Sequence, residues 1–83
     1  MSIWRIPSVK TEMGRRSHAS VYNDIRDGLC TKPVSLGPRS VGWPDYEITA
    51  IINARIAGQT NEQIKELVIR LHAKRQELAL ALV

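Results

Sequence analysis

A helix predicted over residues 17–27 carries the side chains most suited to binding another molecule. At about 100° per residue, Arg16, Ser20, Asn23 and Asp27 fall on one face of this helix. Short polar groups hydrogen-bond to base edges in the DNA major groove, and arginines beside a helix N-terminus hold phosphates. The residue types and their spacing therefore indicate a helix that reads DNA.

The predicted DNA contacts have two roles, reading bases and holding phosphates. Ser20 and Asn23 are expected to face bases, because a carboxamide can pair with adenine. The basic side chains are expected to hold phosphates. Tyr22 has two readings, because its ring suits the core and its hydroxyl can reach a phosphate. The predicted DNA-binding residues are Arg15, Arg16, Ser17, Ser20, Tyr22, Asn23, Lys32 and Arg39.

The opposite face of this reading helix is apolar. Val21, Tyr22 and Ile25 share it. His18 leans toward the same side, so we expect His18 to pack rather than to read bases. Ser17 is the expected N-cap, since its hydroxyl can accept from a backbone N–H two or three residues later.

A shorter helix precedes the reading helix. Pro7 is expected to be its first residue, Val9 and Met13 lie on one face, and Gly14 can end it. About two turns of helix cannot stand alone, so this segment must pack against the reading helix. A short helix, a glycine-containing turn and a second helix form the outline of a helix-turn-helix.

Residues 33–43 have the pattern of two short strands around a Gly-Pro-Arg-Ser turn. Val34 and Leu36 alternate with a serine, and a second alternation ends at Trp43. Arg39 then projects at the tip of the hairpin. An arginine at a hairpin tip beside a reading helix is the layout of a DNA-binding wing. The alternative is an exposed turn arginine with no partner.

An isoleucine-rich helix follows the hairpin. It is predicted to begin after Pro44 and to end at Gly58. Four isoleucines recur at three- and four-residue spacing, which is the pattern of an amphipathic helix that faces a core. They are Ile48, Ile51, Ile52 and Ile56.

A longer helix of about 20 residues is predicted to end the chain. Thr60 and Gln63 form a capping box at its start. We therefore expect a winged helix-turn-helix domain at residues 1–58 and a C-terminal helical extension at residues 59–83. The apolar stretch at residues 78–83 is a candidate surface for self-association.

The charged residues are distributed unevenly along the 83-residue chain. Its formal net charge is +4, and residues 1–43 carry seven Lys or Arg against three Asp or Glu. Residues 44–83 carry five of each. The excess of positive charge therefore lies in the half that contains the reading helix, which fits a polyanionic partner such as double-stranded DNA.

The sequence gives almost no support to an enzyme. Its one cysteine, Cys30, and its two histidines, His18 and His72, are far apart, and no glycine-rich phosphate loop is present. No cofactor and no metal are expected. The sequence has no signal peptide and no apolar run of the roughly 18 residues that span a membrane. We expect a soluble cytoplasmic protein with no membrane partner.

Three segments carry a family resemblance. They are Arg5-Ile-Pro-Ser-Val9, Ser17-His-Ala-Ser-Val-Tyr22 and Lys32-Pro-Val-Ser-Leu-Gly-Pro-Arg-Ser-Val-Gly-Trp43. With Gly14, these segments resemble the AlpA family of small prophage-encoded transcriptional regulators, which is related to excisionases and to the MerR-type winged-helix domain. The resemblance covers roughly residues 5–58, and its most specific part is the hairpin with the isoleucine-rich helix that follows.

The resemblance implies a mostly α fold with a small β-hairpin, a winged helix-turn-helix followed by a C-terminal helix. It also implies DNA binding beside a promoter or a recombination site, with an effect on integrase expression or on prophage excision. The sequence departs from the family pattern in the turn Gly14-Arg-Arg-Ser17, which is one residue longer than usual and has an arginine where an apolar residue usually fills the space between the two helices. His18 stands where the family often has arginine.

The candidate partners follow from these expectations. They are double-stranded DNA, a second copy of the chain bound through the helix after Thr60, and a recombinase or polymerase. The alternative function is an adaptor or anti-repressor that keeps the fold but binds protein through that last helix. Such an adaptor would bind its partner equally well after substitution of Arg16 or Asn23.

Overall fold

The computed structural model describes residues 2–81, with side chains through residue 78. It is mostly helical with a small antiparallel sheet, a winged helix-like fold followed by a C-terminal helix, which confirms the predicted fold class. In chain order the elements are β1 (Ile3–Trp4), α1 (Ile6–Glu12), α2 (His18–Arg26), β2 (Val34–Gly37), β3 (Ser40–Pro44), α3 (Asp45–Ile56) and α4 (Asn61–Ala81).

Local signals set the ends of the helices. The Ser17 hydroxyl accepts a hydrogen bond from the Ser20 N–H at 3.2 Å, which confirms the predicted N-cap of α2. Gly14, between α1 and α2, has a φ of +69°, a conformation that costs glycine nothing. At the start of α4, Thr60 N–H donates to Gln63 Oε1 at 2.9 Å and Gln63 N–H donates to Thr60 Oγ1 at 3.2 Å. The predicted capping box is therefore present.

The sheet has one strand more than the predicted hairpin. Its strand order is β1-β3-β2, with both pairings antiparallel. β1 extends the hairpin because Trp4 pairs with Trp43 and Ile3 with Pro44. The Asp45 N–H also donates to the Ser2 carbonyl at 2.8 Å. The N-terminal segment is thereby fixed to the wing, and Arg5 follows directly after it.

Gly42 lies in the central strand where its neighbours leave no room for a side chain. A Cβ at this position would lie 2.5 Å from Ile3 Cγ2, 3.0 Å from Leu36 Cδ1 and 3.1 Å from the Trp4 carbonyl oxygen. We predict that Gly42→Ala lowers the free energy of unfolding by roughly 1–3 kcal/mol, because the Ile3 side chain and the β1 backbone must move away from the added methyl group. Urea denaturation measures this loss. The control is Ala57→Ser, in the exposed turn that contains Gly58. Gly58→Ala is not a suitable control, because Gly58 has a φ of +80°, a conformation that strains alanine itself.

One core joins the helices to the sheet. Trp43 is fully buried, and its indole N–H donates to the Thr31 carbonyl at 2.9 Å. α4 contributes three buried residues to the same cluster, Ile64, Val68 and Leu71. The other buried apolar residues are Val9, Val21, Cys30, Ile48, Ile51 and Ala54. The first half of α4 therefore covers the core, as the periodicity of its sequence predicts.

A buried ion pair joins α4 to α3. The Glu47 side chain is fully buried, and both of its oxygens accept from Arg75, at 2.7 Å from Nε and 2.6 Å from Nη2. Most of the candidate self-association tail, residues 78–83, lies outside the described side chains. The functional division between residues 1–58 and 59–83 stays a prediction. No helix within residues 2–81 is long and apolar enough to cross a membrane.

Candidate nucleic-acid interface

The exposed face of α2 is polar and covers about half of the helix circumference. Val21 and Asp24 are buried, and Ser20 and Ile25 are half-buried. At 100° per residue the remaining positions form one continuous outer surface. These exposed residues are His18, Ala19, Tyr22, Asn23, Arg26 and Asp27. The helix has nine residues and is about 13 Å long, which is short enough to lie in a major groove.

This outer surface is rotated relative to the one that the sequence predicts. The Tyr22 side chain is 45% exposed rather than on the apolar face. The prediction that His18 packs is wrong, because His18 is exposed. Asp24, although charged, is buried together with Val21, so the buried face of α2 lies on the side of Asp24 and away from Tyr22. Asn23 stays exposed, so it keeps its predicted access to bases.

Arg15 explains why a carboxylate can point inward from α2. Its Nη2 donates to Asp24 Oδ1 at 3.0 Å, and its Nε lies 2.8 Å from Asp24 Oδ2. The Arg15 side chain is 35% exposed, and that of Asp24 is 10% exposed. One donor of Arg15 is therefore hydrogen-bonded within the chain, and its guanidinium charge is paired with the Asp24 carboxylate. Its predicted phosphate contact stays untested, whereas its contact with Asp24 orients α2 on α1.

The predicted polar residues at the start of α2 bind one another. Ser17 Oγ and Ser20 Oγ lie 3.1 Å apart, in addition to the capping bond. Ser20 is half-buried, and its hydroxyl is already in contact with Ser17. Of the two predicted base readers, Ser20 and Asn23, the side chain of Asn23 is therefore the more available for a new hydrogen bond. Arg16 is exposed one residue before the cap. A phosphate beside Arg16 would also face the backbone N–H groups of the first turn.

Lys32 lies on a connector that α4 holds in place. Its backbone N–H donates to His72 Nε2 at 3.0 Å, and its carbonyl accepts from Arg75 Nη2 at 2.6 Å. The Lys32 residue itself is exposed. The position of this predicted phosphate ligand therefore depends on two side chains of the last helix.

The hydrogen bond between Lys32 and His72 predicts a pH dependence of stability. Burial lowers the pKa of His72 from its ordinary value of 6.5, and the nearby Arg75 charge lowers it further. Below about pH 6.5 the unfolded chain gains a proton that the folded chain resists. We therefore expect the free energy of unfolding to fall as the pH drops from about 6.5 toward 5.

Urea denaturation at several pH values checks this expectation. His72→Gln should remove the dependence in this window, because the titrating ring is gone. His18→Gln, which changes the exposed histidine, should keep it. An equal pH dependence in wild type and His72→Gln would contradict the assignment.

The tip of the wing presents Arg39 in an unusual backbone conformation. Arg39 has a φ of +60°, which non-glycine residues adopt infrequently, and it is exposed. Arg5 lies beside the same turn, since its Nη2 is 3.5 Å from Ser40 Oγ. The wing therefore carries two basic residues near one tip.

The comparison with protein families decides what kind of protein carries this interface. A family model described as "Prophage CP4-57 regulatory protein (AlpA)" matches residues 3–56. The chain belongs to the AlpA family. The matched range includes α1, α2, the sheet and α3. Membership of the AlpA family groups the chain with phage-associated regulatory proteins.

A curated relative comes from a phage. The "Uncharacterized protein ORF88" of Enterobacteria phage P4 is 40% identical to this chain over 55 residues. The aligned residues are 66% of this chain and 61% of the relative, so the match spans less than two thirds of the relative's length. No solved structure matches the chain significantly.

Two exposed arginines of this AlpA-family chain were missed by the sequence reasoning. The Arg26 side chain is 72% exposed, four residues after Tyr22 and three after Asn23. Its helical position could have revealed it, because residues three and four apart are neighbours on a helix surface. Arg5 had no such signal, since its place beside the wing depends on the pairing of β1 with β3.

The buried cysteine offers no reactive thiolate. Burial, with a smaller contribution from the charge of Asp24, raises the pKa of Cys30 to about 12. The thiol therefore stays protonated at neutral pH, and Cys30 serves the core. Within the described part of the chain, no cluster of His, Cys, Asp or Glu could hold a metal ion.

Proposed function

We propose that this chain is a sequence-specific DNA-binding transcriptional regulator of prophage or mobile-element type. It acts on integrase expression or on excision. The observation that carries the proposal is the exposed outer surface of α2, which Tyr22, Asn23 and Arg26 share in a chain of the AlpA family. Amide, aromatic and guanidinium groups suit base edges, sugar and phosphates respectively.

The wing adds contacts beside the reading helix. α1 packs against both α2 and β3, so the rigid body that carries the reading helix also carries the wing. Arg39 and Arg5 supply positive charge at the wing tip, and Arg16 supplies it at the start of α2. Together they fit a duplex whose phosphates lie on either side of the groove that α2 enters.

An interface of this size is expected to need a further contact to reach useful DNA affinity. A single module of this size buries about 600–1,000 Å² of protein surface on DNA, which gives weak binding alone. We propose that useful affinity comes from a second copy of the chain, from a repeated site, or from a recombinase or polymerase bound nearby. The protein works by binding in the cytoplasm, and no catalysis or cofactor enters the proposal.

Substitution of the exposed arginines tests the phosphate contacts. Arg16→Ala and Arg39→Ala should each weaken binding to all DNA sequences, and each should reduce the slope of log K against log salt by about 1. Fluorescence anisotropy over a range of salt concentrations measures both effects. Arg55→Ala, which removes an exposed arginine from α3, is the control and should leave the slope unchanged.

Arg15→Ala gives a contrasting outcome, because Arg15 pairs with Asp24. We expect its main effect to be a lower free energy of unfolding, since the mostly buried carboxylate of Asp24 loses its partner.

If Arg16→Ala and Arg39→Ala behave like the Arg55→Ala control, these arginines do not hold phosphates.

A further inference from the structure

A groove runs between the C-terminal end of α2 and the outer side of α4. Its volume is about 320 Å³, near the lower end of the roughly 300–1,000 Å³ of ligand-binding clefts. Its floor is apolar and contains Ile25, Cys30 and Val68. Ile69 lies at its side and is 67% exposed, although it is a large aliphatic residue. The groove therefore presents apolar surface that the described residues do not cover.

The rim of this α2–α4 groove is basic. Arg26, Lys32 and Lys65 all line it, and no carboxylate of the described residues does. Two of these cations have neighbouring carboxylates outside the groove, Asp27 at 3.3 Å from Arg26 and Glu62 at 3.4 Å from Lys65. Both pairs are long and exposed, and such pairs contribute little, so they can exchange for a carboxylate of a partner.

His72 adds a hydrogen-bond donor to the same groove. Its Nε2 accepts from the Lys32 N–H, so in the neutral ring the hydrogen lies on Nδ1. His72 lines the groove, and the N–H at Nδ1 can donate to an acceptor such as a carboxylate. The groove thus combines an aliphatic floor with three cations and one neutral donor.

We propose that the α2–α4 groove binds an acidic amphipathic helix of a partner protein. Aliphatic side chains of that helix would cover the floor and Ile69, and its flanking carboxylates would meet Arg26, Lys32 and Lys65. This is the helix-in-groove mode of recognition, with charge complementarity at its edges. An apolar floor does not suit a nucleic-acid backbone, whose phosphates need polar partners. Arg26 and Lys32 also belong to the proposed DNA interface, so the partner helix and DNA would share these two cations, whereas Lys65 lines only the groove.

The probe for this proposal is a labelled peptide of about 14 residues with leucines at i, i+3, i+4 and i+7 and glutamates beside them. Its binding is followed by fluorescence anisotropy and by shifts of the amide signals of the isotope-labelled full chain. We expect binding with shifts concentrated at residues of the groove. Matched peptides with lysine for glutamate, or with serine for leucine, should bind much more weakly.

Matched variants of the chain locate the site. Ile69→Gln and Lys65→Glu should each weaken peptide binding about tenfold. The control Ile56→Gln changes an isoleucine that is 78% exposed outside the groove, and Arg70→Glu reverses an exposed charge elsewhere on α4. Both controls should bind the peptide like wild type.

Four results would overturn the proposal. The acidic and basic peptides could bind equally, the variants could match their controls, or the shifts could lie outside the groove. Groove signals that move with a DNA duplex and not with the acidic peptide would also overturn it, because they would assign this surface to DNA. The peptide and the DNA duplex are titrated in separate samples, so a failure of the peptide to bind is distinguishable from a failure of the DNA-binding proposal.

Discussion

Arg75→Met is expected to lower the free energy of unfolding by about 3–5 kcal/mol. Arg75 donates two hydrogen bonds to the fully buried carboxylate of Glu47 and a third to the Lys32 carbonyl. Methionine fills part of the same space but leaves a charge in the core without a partner. Folded domains have only about 5–15 kcal/mol of stability, so this loss is a large share for a chain of 83 residues.

A double variant separates the cost of an unpaired charge from the value of the pair. Glu47→Met combined with Arg75→Met should recover most of the lost stability, because replacing a whole buried ion pair with apolar residues is often neutral or stabilising. Lys74→Met is the control. Lys74 is exposed, and its ammonium group makes a cation–π contact with Tyr46, at 5.3 Å from the ring centroid, rather than an ion pair with Glu47. Urea denaturation measures all three. An Arg75→Met effect no larger than that of Lys74→Met would show that the ion pair does not hold α4.

Asn23→Ala is expected to weaken specific DNA binding by about 1–3 kcal/mol, the usual loss for a bidentate contact to a base. Asn23 is exposed on the outer surface of α2, and its side chain makes no hydrogen bond among the described residues. Binding to an unrelated sequence should change little, because phosphate contacts supply most non-specific affinity.

Asn53→Ala is the matched control for this substitution. Asn53 is an exposed asparagine on α3 and is not part of the proposed interface. Anisotropy titrations of the specific and the unrelated duplex with both variants give the comparison. Equal losses on both duplexes would assign Asn23 to the backbone, and no loss on either would remove it from the interface.

Much of the fold follows from local sequence. The capping residues Ser17 and Thr60, the turn glycines and the wing all act through neighbours within a few positions. Their hydrogen bonds and backbone angles match the sequence-based expectations. The isoleucine spacing likewise predicts α3, because helix periodicity brings those residues to one face.

The features that sequence reasoning missed depend on contacts between distant residues. β1 has only two residues, and its pairing with β3 joins positions about 40 apart. The bond from Arg75 to Glu47 spans 28 positions. Neither leaves a periodic pattern that could be recognised in advance.

The rotation of α2 has a subtler cause. A helical wheel assigns Tyr22 to the apolar face, since it treats each residue by its own polarity and gives no reason for a carboxylate to lie inward. Arg15 reverses that assignment by pairing with Asp24. α2 and the tip of the wing, where the sequence analysis places the DNA contacts, are exposed, but the most exposed residues of α2 differ from the predicted ones, and DNA binding by them stays a prediction. Asn23 was foreseen, whereas Arg26 was not.

The central claim is that this chain of the AlpA family binds a specific DNA sequence. Fluorescence-anisotropy titration tests it most directly, with duplexes from the DNA that flanks its own gene and a scrambled duplex, each at two salt concentrations. The proposal predicts tight, salt-sensitive binding to one flanking duplex over the scrambled one. Absence of binding to every duplex, even at low salt, would contradict it and would favour an adaptor that binds protein through α4.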